Sequence, residues 1–187
     1  MLHPPALPLS GHRAPEGPPL EGSRSSPAGI EPGQAEFLAV IERHLSQCRR
    51  YGQPLAVLSI GIEGVGTLDG RPVDGMESAV SHELWNRLRA RTRAKDSVVR
   101  LAGLEYGVLL PGCRPKDAPG TRQRLALTLG GVYALGSDPV ITRVSIGLAS
   151  LCADIDNAAG LWAAALEARA DGRPPAAPTA PAANLRR

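Results

Sequence analysis

Aromatic side chains are scarce in this sequence: one Phe, two Trp and three Tyr make up 3% of 187 residues. So few ring faces leave little to build the stacking platform that single-stranded nucleic acid needs. The formal net charge is only +3, from 21 Lys and Arg against 18 Asp and Glu. An arginine-rich segment over residues 87 to 95 and a pI near 9.0 would permit phosphate contacts, but nucleic acid is not the expected partner. Cysteine is sparse too. Cys48, Cys113 and Cys152 are odd in number, far apart and without a CxxC pair, so neither a disulfide framework nor a zinc site is expected. Cys48 lies one helical turn beyond His44, and the two read as core-facing residues rather than metal ligands. Long apolar runs are missing as well: none approaches the roughly 20 residues that span a bilayer. With neither a charged n-region nor a continuous apolar stretch at its start, the chain is expected to be soluble and cytoplasmic, with no membrane partner.

Glycine and proline are plentiful, at 21 and 18 residues, and the prolines are uneven. Residues 1 to 33 hold Pro4, Pro5, Pro8, Pro15, Pro18, Pro19, Pro27 and Pro32 among Gly, Ser and Ala. Too few large apolar side chains are present there to offset the entropy of ordering, and a disordered leader is expected. Residues 174 to 187 repeat the pattern as a Pro/Ala-rich tail. One folded domain over 34 to 173 is therefore expected.

Within that domain, Phe37, Val40, Ile41, His44, Leu45 and Cys48 recur at three- and four-residue steps, which predicts a helix with one buried face. Leu55 to Ile62 is an almost continuous apolar run, the pattern of a central strand covered on both sides. A glycine-rich loop, Gly64 to Gly75, follows. Val80, Leu84, Trp85 and Leu88 mark a second helix. Val98 to Leu101 and Tyr106 to Leu110 form a hairpin around Ala102-Gly103-Leu104-Glu105. A third helix is expected from Pro115 to about Val132, shortened by glycines. Val140 to Leu148 alternate as a strand, and Leu161, Trp162, Ala165, Leu166 and Arg169 define a last helix. The order helix, strand, helix, hairpin, helix, strand, helix predicts an α/β fold, a mixed central sheet flanked by helices.

The hairpin, the strand ending Ile60-Gly61-Ile62-Glu63 and the late Val144 to Ala149 (VSIGLA) together resemble the GGDEF domain of diguanylate cyclases, the family that joins two GTP molecules into cyclic di-GMP. RYGQPLAVLSI (Arg50 to Ile60) and ARADGR (Ala168 to Arg173) fit its ends. The resemblance runs from about Phe37 to Arg173 and implies a sheet of about five strands, similar to nucleotidyl cyclase domains.

The departures matter as much. The family turn is Gly-Gly-Asp/Glu-Glu-Phe, whereas here it is Ala102-Gly103-Leu104-Glu105-Tyr106, and Leu104 can neither bind a cation nor accept a proton. The first strand of the family ends in Asp-x-Asp, the first Asp holding Mg2+; here Gly61 and Glu63 stand in those places. Activating a ribose hydroxyl against a triphosphate needs cations, and Glu63 with Glu105 alone is a poor cage. Asp69 replaces the family's Asn and Ser78 its Asp at the guanine contacts. The resemblance thus implies a degenerate cyclase: not an enzyme, with no catalytic residues, no metal, no cofactor and no Mg2+. Arg169 and Arg173 match the basic pair that contacts triphosphate in the family; equally, they are cations favoured at a helix C-terminus.

One family site is retained. Arg93-Ala94-Lys95-Asp96 reproduces an Arg-x-x-Asp placed five residues before the turn, which in the family binds cyclic di-GMP as an inhibitor. Counting on from the turn brings the second arginine of that site to Arg124. The two arginines can present planar forks to guanine or phosphate, and Asp96 can accept from a guanine edge. Arg87, Arg89, Arg91 and Lys95 are expected to add positive potential. The alternative is a solvated Arg–Asp pair at a helix end, worth little. The implied function is a non-catalytic cyclic di-GMP receptor acting through self-association or a protein partner. A nucleotide-free protein–protein scaffold and a weak residual cyclase are the alternatives.

Overall fold

The computed structural model describes residues 32–71, 73, 75–135 and 138–172. The leader expected over 1 to 33 and the tail expected over 174 to 187 lie outside these residues, except that Pro32 and Gly33 open the first helix. The elements in chain order are α1 (Pro32–Tyr51), β1 (Leu55–Thr67), α2 (Glu77–Arg91), β2 (Ser97–Arg100), β3 (Glu105–Pro111), α3 (Ala118–Leu129), β4 (Gly131–Leu135), β5 (Asp138–Ser150) and α4 (Ala158–Asp171). No helix among the described residues is long and apolar enough to cross a membrane.

The strands form one sheet in the order β2-β3-β1-β5-β4. β1 is central because it is apolar on both sides. Ala56, Leu58 and Ile60 enter one core cluster with α2 and α3, while Leu55 and Val57 enter the other with α1 and α4. Phe37 of α1 and Trp162 of α4 meet edge to face, centroids 5.2 Å apart, inside that second cluster. Phe37 lies against Gly107 so closely that a Cβ there would be 2.5 Å from its ring. Full burial of such a ring is worth roughly 1.5–3 kcal/mol.

Two expectations need correction. Every pairing in the sheet is antiparallel, where a mixed sheet was expected. Helix α2 does return the chain so that β2 runs in the direction of β1, but the hairpin partner β3 is inserted between them and pairs antiparallel with both. The second correction is β4, which the sequence reading merged into the third helix. Leu129 and Val132 keep a helical spacing, but Gly131 at φ +105° turns the chain straight from α3 into a strand. β1 also extends to Thr67, past a bulge between Ile62 and Gly64, into part of the expected glycine-rich loop.

Candidate functional site

The register puts Gly61 of β1 opposite Glu105 of β3 on one side and Ser145 of β5 on the other. Side chains at paired positions share a face, here the face covered by α4. Gly147, two residues beyond Ser145, lets α4 lie directly on the sheet: a Cβ there would come 1.9 Å from the Ala165 carbonyl oxygen and 2.4 Å from the Arg169 nitrogen. Arg169 is thereby rooted above the row, and its Nη2 donates to Glu105 Oε1 at 2.7 Å. Glu63 accepts a short hydrogen bond from the Ser145 hydroxyl, which also lies 3.4 Å from the Gly61 carbonyl oxygen. Leu104 points to the opposite face and packs on the α2/α3 core; its carbonyl accepts from the Ile62 N–H at 3.3 Å.

These groups do not fit a divalent cation. Mg2+ requires near-octahedral oxygen coordination, and this row offers two glutamates, one engaged by a hydroxyl and the other by a guanidinium. Among the described residues no group of three or more His, Cys, Asp or Glu is assembled to hold a metal. Arg169 lies in the last turn of α4, as the helix-terminus reading expected, and it also pairs with Glu105. Arg173 lies outside the described residues.

The positions expected to face guanine do not line one hollow together. Asp69 sits in an exposed turn, bonded by the Thr67 hydroxyl and 3.1 Å from Arg71 Nε. The Thr67 hydroxyl and then a backbone N–H hold its carboxyl below the usual aspartate range, with a lesser contribution from Arg71, against an opposing desolvation. Ser78 instead lines a hollow of about 350 Å³ with Ser81, His82, Trp85, Arg100 and Tyr106, and Asp69 is not part of that wall.

Arg93, Asp96 and Arg124 do come together. They line one hollow of about 310 Å³ with Pro111, Gly112, Cys113, Arg114, Asp117 and Thr121. It lies at the end of the β2–β3 hairpin away from the Leu104 turn, because Ser97 pairs with Leu109. The α2–β2 turn supplies Arg93 and Asp96, and the first turns of α3 supply Arg124. Asp96 is 8% exposed, and its Oδ2 accepts from the Arg93 backbone N–H at 2.7 Å. That bond closes the turn and uses only part of the carboxylate's acceptor capacity. Both arginine side chains are exposed.

Sequence reasoning missed Arg114 and Asp117, whose Nε and Oδ2 are 2.7 Å apart across the hollow's rim. Their three-residue spacing just before α3 was the available signal. Burial pushes the Cys113 thiol up, with Asp117 next in effect and Arg93 opposing. Of the further cations expected here, Lys95 is close, its Nζ 2.9 Å from a Cβ built on Gly112. Arg87, Arg89 and Arg91 are not in the wall of the hollow. At 100° per residue the helix turns Arg87 toward β4, where it lies 3.7 Å over the Tyr133 ring and pairs with Glu83, and it carries Arg89 toward Trp85.

No protein-family model matches the chain. It is similar to the bifunctional diguanylate cyclase/cyclic di-GMP phosphodiesterase MucR of Pseudomonas aeruginosa, 27% identical over 109 residues, which are 58% of this chain and 16% of MucR. The match thus spans a minor part of that relative's length. Among solved structures it is similar to the GGDEF domain of TpbB (YfiN) from Pseudomonas aeruginosa, with a TM-score of 0.61 and 23% identity, covering 76% of this chain and 84% of that one. It is also similar to the GGDEF domain of DgcB from Caulobacter crescentus in complex with c-di-GMP, with a TM-score of 0.60 and 12% identity over 73% and 80% of the two chains. The chain has the fold of GGDEF domains.

Proposed function

We propose that this chain is a cyclic di-GMP receptor that binds the dinucleotide at Arg93, Asp96 and Arg124 and does not itself cyclise GTP. The observation that carries the reading is the convergence of those three side chains, from two separate elements, on one hollow. Three arginines against two aspartates line it, a balance suited to a dianion. Its volume is at the lower end of the roughly 300–1,000 Å³ of ligand sites, enough for one guanine and its phosphate with the rest of the ligand outside. The GGDEF domain of DgcB, of the same fold, is known in complex with c-di-GMP, which supports the choice of ligand. The non-catalytic part of the reading is supported by the row of Glu63, Gly61 and Glu105, which does not suit the cations that phosphoryl transfer needs.

The test is calorimetric titration of the full chain with cyclic di-GMP and, separately, with GTP and Mg2+. Among the described residues the Arg124 side chain makes no hydrogen bond or ion pair, so Arg124→Ala is expected to weaken cyclic di-GMP binding about tenfold or more, the worth of a charge-assisted fork, while leaving the melting temperature unchanged. Asp96→Asn keeps an acceptor for the Arg93 N–H and removes the charge, and is expected to weaken binding likewise. No affinity for cyclic di-GMP, or binding that neither substitution changes, would sink the receptor reading and leave a scaffold. Cyclic di-GMP formed from GTP would overturn the non-catalytic part.

A further inference from the structure

We infer that Arg169 is a built-in cation: its guanidinium occupies the slot above Gly61 and beside Glu105, and closes the acidic row to divalent ions. The inference is independent of the proposed receptor site, which lies at the other end of the hairpin.

The geometry makes the occupant and the glycine mutually dependent. A Cβ built on Gly61 falls 2.8 Å from Arg169 Nη1 and 3.2 Å from its Cζ. Even alanine would press on the guanidinium, and an aspartate would reach through it. The empty position between Glu105 and Ser145 is therefore filled from above by another element's side chain. Arg169 is in turn held at both ends. Its backbone is fixed by the approach of α4 to Gly147, and its Nη2 by Glu105.

The side chain is 17% exposed, and Nη1 is buried with no acceptor among the described residues. A buried donor left unmatched is costly, so the guanidinium is not placed there for its hydrogen bonding alone. What the slot supplies is negative charge from Glu105, with Glu63 held nearby by Ser145. A permanently charged, planar cation suits that setting in a way that a titratable lysine would not. A divalent ion entering the same slot would meet a positive charge at contact distance and a carboxylate already committed to it.

The experiment pairs Mn2+ binding, followed by the loss of the free-ion paramagnetic signal, with a thermal double-mutant cycle. Wild-type protein is expected to take up no Mn2+ saturably. Gly61→Asp/Arg169→Ala, which exchanges the internal cation for a third carboxylate, is expected to bind Mn2+ at least about tenfold more tightly than wild type, since affinity in such cages follows ligand charge count. In the cycle, Gly61→Ala is expected to lower the melting temperature in the presence of Arg169 and to leave it unchanged in an Arg169→Ala background. The cycle stands even if the aspartate variant fails to fold. Saturable Mn2+ binding by wild type that Glu105→Gln abolishes would overturn the inference. An equal cost of Gly61→Ala in both backgrounds would do the same.

Discussion

Replacing Gly147 by alanine tests the contact on which the Arg169 site rests. The added Cβ would lie 1.9 Å from the Ala165 oxygen, 2.4 Å from the Arg169 nitrogen and 2.7 Å from the Arg169 Cβ. None of these atoms is the free end of a flexible side chain, so rotation relieves nothing, and α4 must move back bodily. Restoring an ordinary contact of about 3.4 Å takes a shift on the order of 1.5 Å, large against the tight packing of protein interiors. α4 carries Leu161, Trp162 and Ala165 into the core, so that shift loosens the Phe37–Trp162 contact as well. Overpacking of this kind costs about 3 kcal/mol, the upper part of its usual range. For a domain of this size that is a fall of about 10 °C in melting temperature. The assay is thermal denaturation followed by circular dichroism, with Gly120→Ala as the control. No atom lies within 4 Å of a Cβ at Gly120, and that substitution is expected to gain up to ~1 kcal/mol by restricting the unfolded chain. Because the arginine hollow is built from other elements, cyclic di-GMP affinity below the transition should stay within about twofold, less than the 1.4 kcal/mol of a tenfold change. A Gly147→Ala melting temperature equal to wild type would refute the close approach of α4 and, with it, the placement of Arg169.

The buried Tyr106 hydroxyl donates to the Ser81 carbonyl at 3.1 Å and shares a 2.8 Å hydrogen bond with the Ser81 hydroxyl. Tyr106→Phe should therefore cost about 1–2 kcal/mol in a urea titration, because it leaves a buried hydroxyl short of a partner; a cost near zero would mean that water replaces the phenol. Burial pushes the Tyr133 phenol above its ordinary value, with the Arg87 guanidinium opposing. Its stabilising effect is complete below the unfolded tyrosine value of about 10 and is lost as pH rises through the folded one. Wild type should lose stability above that pH more steeply than Tyr133→Phe, and parallel pH curves for the two proteins would refute it.

Features encoded within one segment were readable from the sequence, and features that depend on packing between segments were not. The buried face of α1 follows from Phe37, Ile41, Leu45 and Cys48, and the central place of β1 from its unbroken apolar run. Both patterns are local and both hold. The turn pairing Arg93 with Asp96 is also local, three residues apart at a helix end, while Arg124 was reached only by counting along the resemblance. β4 was hidden because five residues with one buried side chain, Tyr133, carry too little alternation to compete with the helix before them. The pairing of Arg169 with Glu105 needs the β1–β3 register and the height of α4 above Gly147 at once. No spacing within either segment encodes that distance.

Gly61, Leu104 and Arg169 together limit which acids the turn could carry. Leu104 packs against the α2/α3 core, as Ile62 and Val65 do, so a carboxylate placed there would have to leave apolar contacts or be desolvated against them. An aspartate restored at Gly61 would collide with a guanidinium that already neutralises Glu105. Removing Arg169 alone would leave the Glu105 carboxylate without its partner above an unfilled slot. A carboxylate at Gly61 thus meets the Arg169 guanidinium, and one at Leu104 meets the apolar core on the opposite face of the sheet. The hairpin is thus asymmetric in its chemistry. Its Leu104 end is closed by apolar packing and an internal ion pair, while Arg93 and Arg124 by its other end are exposed to solvent.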